Sequence, residues 1–359
     1  MSDVEVQLGR RSITPVSRPY VIAEIGVNHE GSLQRAKELI SLAKEGGADA
    51  AKFQTYKAAS LASKDSPSYW DLAAEPTKSQ YELFKKYDSF GENEYLDLAQ
   101  YCESVGIDFL STPFDEESVD FLDALMGYYK IASADINNVP FLRRVASKQK
   151  PVILSTGAST LEEIRFAVEC LESNGCPSVV LLHCILNYPT PDEYAHLGMI
   201  ESLRSSFPNY LIGYSDHTLP DATMRVLKSA VLLGSQVIEK HFTFDKTLQG
   251  NDHYHAMDVT DLKKFTEELD FLEKIVGKER QKKPLESEAI SRDNARRSIV
   301  LKTSVSAGDT ISEEMITYKR PGTGISAADW DAVIGLRVCK DLADDHVLRW
   351  EDLETVSVN

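Results

Sequence analysis

The chain has 359 residues, of which 39 are Lys or Arg and 56 are Asp or Glu, so its formal charge at pH 7 is −17. This acidic balance argues against a nucleic-acid partner, which needs a basic face, and no apolar run approaches the roughly 20 residues of a membrane span. Five scattered cysteines without a Cys-x-x-Cys pair, and no leader-like apolar run behind the first residues, predict a cytoplasmic protein with no membrane partner.

Short apolar runs rich in strand-forming residues alternate with segments of helical periodicity along the chain. The first run, YVIAEIG, precedes LQRAKELISLAKEGG, in which apolar residues recur every three or four positions. Eight such repeats ending near Gly277 predict an α/β fold, a (β/α)8 TIM barrel. A doubly wound open sheet is the alternative, but it rarely has eight units and no GxGxxG follows the first strand. The predicted strands are Tyr20–Gly26, Ala50–Tyr56, Asp108–Phe114, Tyr128–Ser133, Pro151–Gly157, Val179–Ile185, Leu211–His217 and Gln236–Phe242.

One connection, residues 57–91 after the second strand, is far longer than the roughly 2–6 residues of an ordinary βα loop. A long insertion at the carboxyl-terminal face of a barrel is a candidate lid or substrate wall. A packed helical segment that only covers the rim is an equally good interpretation. The insertion carries the aromatic residues Tyr69, Trp70, Tyr81, Phe84, Tyr87 and Phe90.

The composition changes after Gly277, where the basic, polar stretch KERQKKPLESEAISRDNARR begins. Short β-like runs separated by turns such as SAGD and RPGTG follow, and they are too few for a large core. We therefore predict a barrel domain over residues 1–277, a linker over residues 278–296 and a small β-rich domain over residues 297–359.

Every predicted barrel strand carries polar residues near its carboxyl end. Strands of a parallel barrel are buried, and barrel enzymes place their chemistry at that end, so eight such clusters favour an active site over isolated structural groups. The residues are Glu24, Asn28, His29, Lys52, Gln54, Ser111, Thr112, Lys130, Ser133, Ser155, Thr156, His183, Asn187, Ser215, Asp216, His217, Glu239, Lys240 and His241.

His217 and His241 end neighbouring strands, so their imidazoles can converge on one divalent metal ion. We expect the nearby carboxylates Asp216 and Glu239 to orient these histidines or a bound water. Two histidines with open positions suit a Lewis acid whose shell is completed by substrate oxygens. A hydrogen-bonded or general-base pair of histidines is the alternative.

Lys52 and Lys130 point into the same predicted barrel mouth as several hydroxyl and amide groups. Ammonium charges together with such directional donors suit a compact anion that carries phosphate and carboxylate. No Walker loop accompanies them, so a nucleotide is not expected. A Schiff-base lysine of a class I aldolase is the second enzymatic interpretation, although it leaves the histidine pair without a role.

Several motifs resemble those of the sialic acid synthase family: EIGVNHEG, KFQTY, STPFD, KIAS, STG, GYSDHT and EKHFTFD. The segments RRSIV, AGDTI and KRPGTGI resemble that family's antifreeze-like (SAF) domain. The resemblance implies condensation of phosphoenolpyruvate with an N-acetylmannosamine-type sugar, which gives a nine-carbon 3-deoxy-ulosonic acid and phosphate. It also implies Mn²⁺, with Mg²⁺ or Co²⁺ as alternatives, and a domain-swapped homodimer.

The resemblance assigns roles to individual residues. Glu24, Glu239, His217 and His241 become catalytic, with the two histidines as metal ligands. Asp252, His253 and Arg320 become contacts to the sugar. The phosphoenolpyruvate-binding residues implied are Lys52, Gln54, Thr112, Lys130, Ser133, Ser155, Asn187 and Ser215.

The sequence departs from the family motif in the loop after the eighth strand. The family has G-x-D-H followed by a small residue, Ser and Leu, whereas this chain reads GNDHYHAMD over Gly250–Asp258. Because this loop borders the sugar, three acceptors stay open: N-acetylmannosamine, its 6-phosphate and a diacetamido-trideoxy hexose. Overall resemblance favours a bacterial-type, unphosphorylated sugar.

Two hypotheses come from other functional classes. A metal-dependent barrel hydrolase also uses histidines at strand ends, but such enzymes commonly begin with His-x-His on the first strand, where this chain has Glu24. An ice-interacting role, suggested only by the name of the small domain, predicts a regular array of Thr that residues 297–359 lack.

Overall fold

The computed structural model describes residues 4–68, 70, 72, 75–248, 252–277 and 281–354. The chain divides into two compact units, Met1–Lys278 and Glu279–Asn359, which are described separately. None of the helices within the described ranges is long and apolar enough to cross a membrane.

The first unit begins with an antiparallel hairpin, β1 (Val6–Leu8) and β2 (Arg11–Ile13), which the sequence analysis did not predict. Its apolar side chains join the barrel core. The turn residue Gly9 has a φ of +52°, and a Cβ there would lie 1.8 Å from the carboxylate of Asp108. Since Asp108 begins a barrel strand, the hairpin covers the amino-terminal end of the barrel.

Eight parallel strands form one sheet in the order β5-β4-β3-β10-β9-β8-β7-β6, and the end strands β5 and β6 lie side by side. The sheet is therefore a nearly closed barrel, which confirms the predicted fold class. The strands are β3 (Tyr20–Gly26), β4 (Ala50–Thr55), β5 (Asp108–Pro113), β6 (Tyr129–Ile131), β7 (Val152–Ser155), β8 (Val179–Cys184), β9 (Leu211–Asp216) and β10 (Val237–His241).

Helices surround this barrel, and their ends follow local sequence signals. Thr160 and Glu163 form a capping box at the start of one helix, and Gly47 ends another in the left-handed conformation. The helices are α1 (Leu33–Gly46), α2 (Ala58–Leu61), α3 (Gln80–Tyr87), α4 (Glu92–Val105), α5 (Glu116–Leu122), α6 (Val139–Ala146), α7 (Leu161–Ser173), α8 (Gly198–Ser206), α9 (Arg225–Leu232) and α10 (Val259–Val276).

The second unit has its own small core, built around Ile299, Leu301 and Ile316. Strands β11 (Ser298–Leu301) and β12 (Ile316–Lys319) pair antiparallel. The segment 278–296, which we predicted as a linker, contains helix α11 (Ala289–Ala295), and a short helix α12 (Trp330–Val333) follows β12. The N–H of Gly322 donates to the Asp293 carbonyl at 2.6 Å, so α11 packs on this unit.

Candidate active site

Strand register brings the polar residues to one level at the carboxyl end of the barrel. His241 of β10 lies opposite Glu24 of β3, and Glu24 lies opposite Lys52 of β4. On the other side of β10, Glu239 lies opposite Ser215 of β9. All five side chains are buried. Neighbouring strands thus deliver acid, base and imidazole groups to a common interior.

Four buried charges alternate in sign across this interior: Glu24, Lys52, Glu239 and Lys130. Lys52 Nζ lies 2.7 Å from Glu24 Oε2 and 3.7 Å from Glu239 Oε2. Lys130 Nζ lies 3.7 Å from Glu239 Oε1. Each charge therefore has an opposite charge beside it, as buried ions require.

The surroundings shift the pKa values of Glu24 and Glu239 in opposite directions. Burial raises the pKa of Glu24 more than Lys52 lowers it. Burial also opposes ionisation of Glu239, but Lys130 and Lys52 outweigh it and lower the pKa of Glu239. Two carboxyl groups with pKa values shifted apart are suited to different roles in one reaction.

The two lysines also differ. Burial opposes the charged form of Lys52, but Glu239 and Glu24 outweigh it and raise its pKa. Burial lowers the pKa of Lys130; the charge of Glu239 opposes this shift, and the like charge of Lys52 adds to it. Lys52 is therefore the firmly charged member of the pair.

Hydroxyl and amide groups surround the charges. Lys52 donates to Thr112 Oγ1 at 3.0 Å, and Lys130 donates to Ser155 Oγ at 2.8 Å. Ser215 Oγ donates to Glu239 at 3.0 Å. The remaining contacts are from Gln54 Nε2 to Glu24 Oε1 at 2.9 Å and from Gly157 N to Ser133 Oγ at 2.9 Å.

A glycine in β3 allows this packing. The register between β3 and β4 shifts between Glu24 and Gly26, and Gly26 has a φ of +55°. A Cβ at Gly26 would lie 3.2 Å from Glu24 Oε1 and 3.3 Å from Gln54 Nε2. A side chain here would both strain the backbone and press on the carboxylate that pairs with Lys52.

Three histidines lie together beside the charged row. The ring centroids of His217 and His241 are 5.4 Å apart, and the ring of His255 is 4.7 Å from His241 and 6.3 Å from His217. Asp252 Oδ2 lies 3.4 Å from His241 Nδ1. The structure thus brings the two predicted ligands together and adds two further donors.

The chemistry of these groups fits a divalent metal ion. Burial lowers the pKa of His217 to about 4 and that of His255 to about 3, so both imidazoles are neutral, the form that binds metals. Among the described residues, His241 Nδ1 and both ring nitrogens of His255 are buried without a hydrogen-bond partner. A buried nitrogen without a partner is energetically unfavourable unless a ligand such as a metal ion binds it.

Asp216 and Glu239, which we expected to orient the histidines or a bound water, make no hydrogen bond to His217 or His241 among the described contacts. Asp216 accepts from Lys240 Nζ at 2.6 Å, in an ion pair whose side chains are both 1% exposed, and Glu239 faces the lysines. The His217 ring is oriented instead by the Ile185 carbonyl, 2.7 Å from Nδ1. Alternation along β9 and β10 turns Asp216 and Lys240 to the opposite face from the histidines.

Three predicted site residues have other surroundings. Asn187 lies on an exposed loop after β8, where its carbonyl accepts from Thr190. His253 is buried, with Nδ1 2.7 Å from Thr243 Oγ1. Arg320 is exposed in the second unit. Among the described contacts of the first unit, none joins Asn187 or His253 to the charged row.

The insertion 57–91 contributes aromatic residues near the site. Its helices α2 and α3 are short, and Phe84 packs on Tyr56 at the end of β4 with ring centroids 5.4 Å apart. Burial raises the pKa of Tyr87, and the charge of Asp252 raises it further. Tyr69 lies outside the described residues. The insertion therefore packs against the end of β4 through Phe84.

Sequence reasoning missed His255 and Tyr188. The Tyr188 ring lies 4.2 Å from that of His217 and 5.8 Å from that of His255, so it encloses the cluster. The sequence signal for His255 is the stretch GNDHYHAMD, which has a histidine at a position where the family motif has none. From the sequence alone, this change indicates only a different sugar specificity.

Comparison with known proteins gives consistent matches along the chain. The NeuB family model matches residues 39–281, and the SAF domain model matches residues 296–354. The N,N'-diacetyllegionaminic acid synthase of Legionella pneumophila is 41% identical over 342 residues, which are 93% of this chain and 94% of that protein. The human N-acetylneuraminate-9-phosphate synthase is 30% identical, with 92% of each chain covered.

A solved structure supports the same assignment. The crystal structure of the N-acetylneuraminic acid synthetase from Leptospira borgpetersenii, in complex with citrate, has a TM-score of 0.71 at 32% identity and covers 80% of this chain and 94% of that one. These matches confirm the resemblance that the motifs predicted, including the SAF domain after the barrel. The chain belongs to the NeuB family and is an enzyme of its phosphoenolpyruvate-dependent condensing type.

Proposed function

We propose that this enzyme condenses phosphoenolpyruvate with the open-chain form of an N-acetylmannosamine-type sugar, giving a nine-carbon 3-deoxy-ulosonic acid and phosphate. The observation that carries the proposal is the buried row Glu24, Lys52, Glu239 and Lys130 beside neutral histidines. The row offers cations for an anionic substrate and two differently tuned carboxylates. The histidines offer a site for an electrophile.

Lys52 and Lys130 bind the phosphate and carboxylate of phosphoenolpyruvate in this proposal. Their Nζ atoms already bond to the hydroxyls of Thr112 and Ser155, so hydroxyl donors line the same space. A dry interior strengthens such charge-assisted contacts. Further proposed contacts to this substrate are Gln54, Ser133, Asn187 and Ser215.

His217 and His241 would hold a divalent ion, for which we propose Mn²⁺, with Mg²⁺ or Co²⁺ as alternatives. When bound, such an ion polarises the carbonyl oxygen of the aldehyde. The protein prepares the site by keeping both imidazoles neutral through burial, which lowers the pKa of each. The Ile185 carbonyl fixes the Nδ1 side of His217 and leaves Nε2 for the ion.

The two carboxylates have different roles in the proposed reaction. The enol carbon of phosphoenolpyruvate bonds to the aldehyde carbon, and the aldehyde oxygen takes a proton. Water then adds to the cationic enol-ether carbon and loses a proton, which gives a hemiketal phosphate. This hemiketal phosphate expels phosphate. Glu24, with its raised pKa, is suited to move protons, while Glu239, with its lowered pKa, stays ionised and stabilises the cation.

The acceptor we propose is an unphosphorylated amino sugar bordered by Asp252 and His253. The 41% identity to a legionaminic acid synthase supports a diacetamido-trideoxy hexose, ahead of N-acetylmannosamine and of its 6-phosphate. By family resemblance we also propose a domain-swapped homodimer in which Arg320 reaches the sugar of the partner's barrel. The exposed position of Arg320 supports such a role.

Phosphate release tests this function directly. The protein is incubated with phosphoenolpyruvate, Mn²⁺ and a panel of aldoses that includes the three candidate acceptors, and the ulosonic acid is identified by mass spectrometry. We expect phosphate and ulosonic acid in equal amounts with an acetamido hexose. Phosphate release without any acceptor, or a lysine trapped covalently by borohydride, would overturn the proposal in favour of a hydrolase or a Schiff-base aldolase.

A further inference from the structure

We propose that His255 is a third imidazole ligand of the metal ion, together with the Asp252 carboxylate, so that the ion has a donor set richer in nitrogen than the predicted pair of histidines. This inference rests on the proposed function and deepens it, because it concerns the same ion. It depends on three observations: the spacing of the donors, the unpartnered nitrogens and the anchoring of the loop that carries His255.

The donors are close enough to share one ion. Ligand atoms of His241, Asp252 and His255 all lie within 4.8 Å of one another. Two ligands that are each about 2.1 Å from one ion lie at most about 4.2 Å apart, so only small side-chain adjustments are needed. His217 is not one of these three donors: its ring centroid lies 5.4 Å from that of His241 and 6.3 Å from that of His255, so it needs a larger side-chain adjustment to bind the same ion.

The ring nitrogens of His255 make no hydrogen bond to the described residues. The residue is 0% exposed, and neither Nδ1 nor Nε2 has a hydrogen-bond partner among the described residues. Its nearest carboxylate contact is Asp252 Oδ1 at 3.8 Å from Nε2, beyond hydrogen-bond distance. A buried imidazole with both nitrogens unpartnered is unfavourable, and a metal bond to one of them removes part of that cost.

Hydrogen bonds hold the loop that carries His255 in place. Met257 N donates to the His241 carbonyl at 2.8 Å, and Thr243 N donates to the Met257 carbonyl at 2.8 Å. Tyr254 donates its hydroxyl to the Tyr188 carbonyl at 2.9 Å. The loop is therefore anchored to β10 and to the residue that covers His217, and His255 is held between these anchors.

The same residues form the departure from the family motif. The stretch Tyr254, His255, Ala256 and Met257 departs from the family's small residue, Ser and Leu, and the structure buries Ala256 and Met257. Anchor, ligand and packing residues thus change together.

A third nitrogen donor changes which ions bind well. Nitrogen ligands favour Co²⁺ over Mn²⁺ because affinity rises along the first transition series from Mn²⁺ towards Cu²⁺. Three imidazoles and one carboxylate would hold the ion, and oxygens of the sugar would complete its coordination. The site should accordingly bind Co²⁺ more tightly than Mn²⁺, and the difference should depend on His255.

X-ray absorption spectroscopy of the Co²⁺-loaded wild-type protein counts imidazole ligands without any substitution. We expect three, and a count of two would overturn the proposal. In addition, His255→Gln should weaken Co²⁺ binding, measured by calorimetry on metal-free protein, by about 10-fold or more, and Mn²⁺ binding by less. The matched control is His183→Gln, because His183 is a buried histidine whose Nε2 bonds to the Ala195 carbonyl.

The calorimetry separates failure of this inference from failure of the proposed function. If His217→Ala and His241→Ala abolish Co²⁺ binding while His255→Gln matches the His183→Gln control, His255 is not a ligand and the proposed function stands. If His217→Ala and His241→Ala leave Co²⁺ binding unchanged, the proposed ion site itself is wrong.

Discussion

Replacement of Lys52 by Met tests whether the alternating charges act as one unit. Lys52 Nζ lies 2.7 Å from Glu24 and 3.7 Å from Glu239, and its side chain is 4% exposed. Lys52→Met therefore leaves two carboxylates facing each other without their shared cation. Removing one partner of a buried ion pair costs about 3–5 kcal/mol, and we expect the free energy of unfolding at pH 8 to fall by that amount.

The loss should depend on pH in a defined direction. The pKa of Glu24 is already raised by burial, and loss of Lys52 removes the group that lowers it. A carboxyl group whose folded-state pKa lies above its unfolded-state value destabilises the fold above the unfolded value of about 4.3, and more so as pH rises to the folded value. The deficit of Lys52→Met should therefore be smaller at pH 4.5 than at pH 8, but it should persist at pH 4.5 because Glu239, whose pKa is lowered, still offers Lys52 a charged partner.

Urea denaturation of four proteins measures the effect: wild type, Lys52→Met, Glu24→Gln and the double variant. Glu24→Gln removes the carboxylate that loses its partner, so the cost of Lys52→Met in that background should fall, giving a coupling energy of about 2–3 kcal/mol at pH 8. Lys228→Met is the matched control, since its partly exposed pair with Glu268 at 3.0 Å should contribute under about 1 kcal/mol. A coupling energy below about 0.5 kcal/mol, or a deficit that is equal at pH 4.5 and pH 8, would refute the reasoning.

Four further predictions concern the ion, Lys130, the buried pair of Lys240 and Asp216, and Arg320 of the second unit. Chelation should abolish turnover and Mn²⁺ should restore it; full activity of metal-stripped protein would contradict this. Lys130→Met should weaken phosphoenolpyruvate binding by about 2–5 kcal/mol in calorimetry, and unchanged affinity would remove Lys130 from that site. Lys240→Met should lower the free energy of unfolding by about 3–5 kcal/mol, because it strands the buried Asp216, and Asp216→Asn in the same chain should recover part of the loss. Arg320→Ala should raise KM for the sugar more than KM for phosphoenolpyruvate, and mixing it with His217→Ala should restore activity after subunit exchange; verified heterodimers without activity would contradict a shared site.

The sequence was sufficient to predict the barrel because its signal repeats. Each of the eight strands is a short buried run followed by a helical segment, and some of the helices have recognisable ends, such as α1 between Ser32 and Gly47. Lys52 and Gln54, predicted to share a face by alternation, both contact Glu24. The hairpin β1–β2 was not predictable in this way, because its strands have three residues each and carry too little pattern.

The orientation of the site groups was less accessible from sequence. Asp216 and His217 are adjacent in the chain but face opposite sides of the strand end, and Lys240, which pairs with Asp216, belongs to another strand. Pairing between residues this far apart depends on strand register, which single-sequence patterns do not specify in a parallel sheet. The role of His255 likewise depends on how a loop folds back onto β10, which only the structure provides.

Burial explains how a chain with a formal charge of −17 can hold an anionic substrate. At the strand ends Glu239 and Glu24 sit beside Lys52 and raise its pKa, so the cation persists in a dry interior where its field is strong. The same burial lowers the pKa of His217 and raises that of Glu24. Burial therefore gives neutral imidazoles for an ion and a carboxyl group able to carry a proton, while the neighbouring carboxylates keep Lys52 charged against the effect of burial. The overall charge of the protein has little influence because each of these groups is tuned by its immediate neighbours.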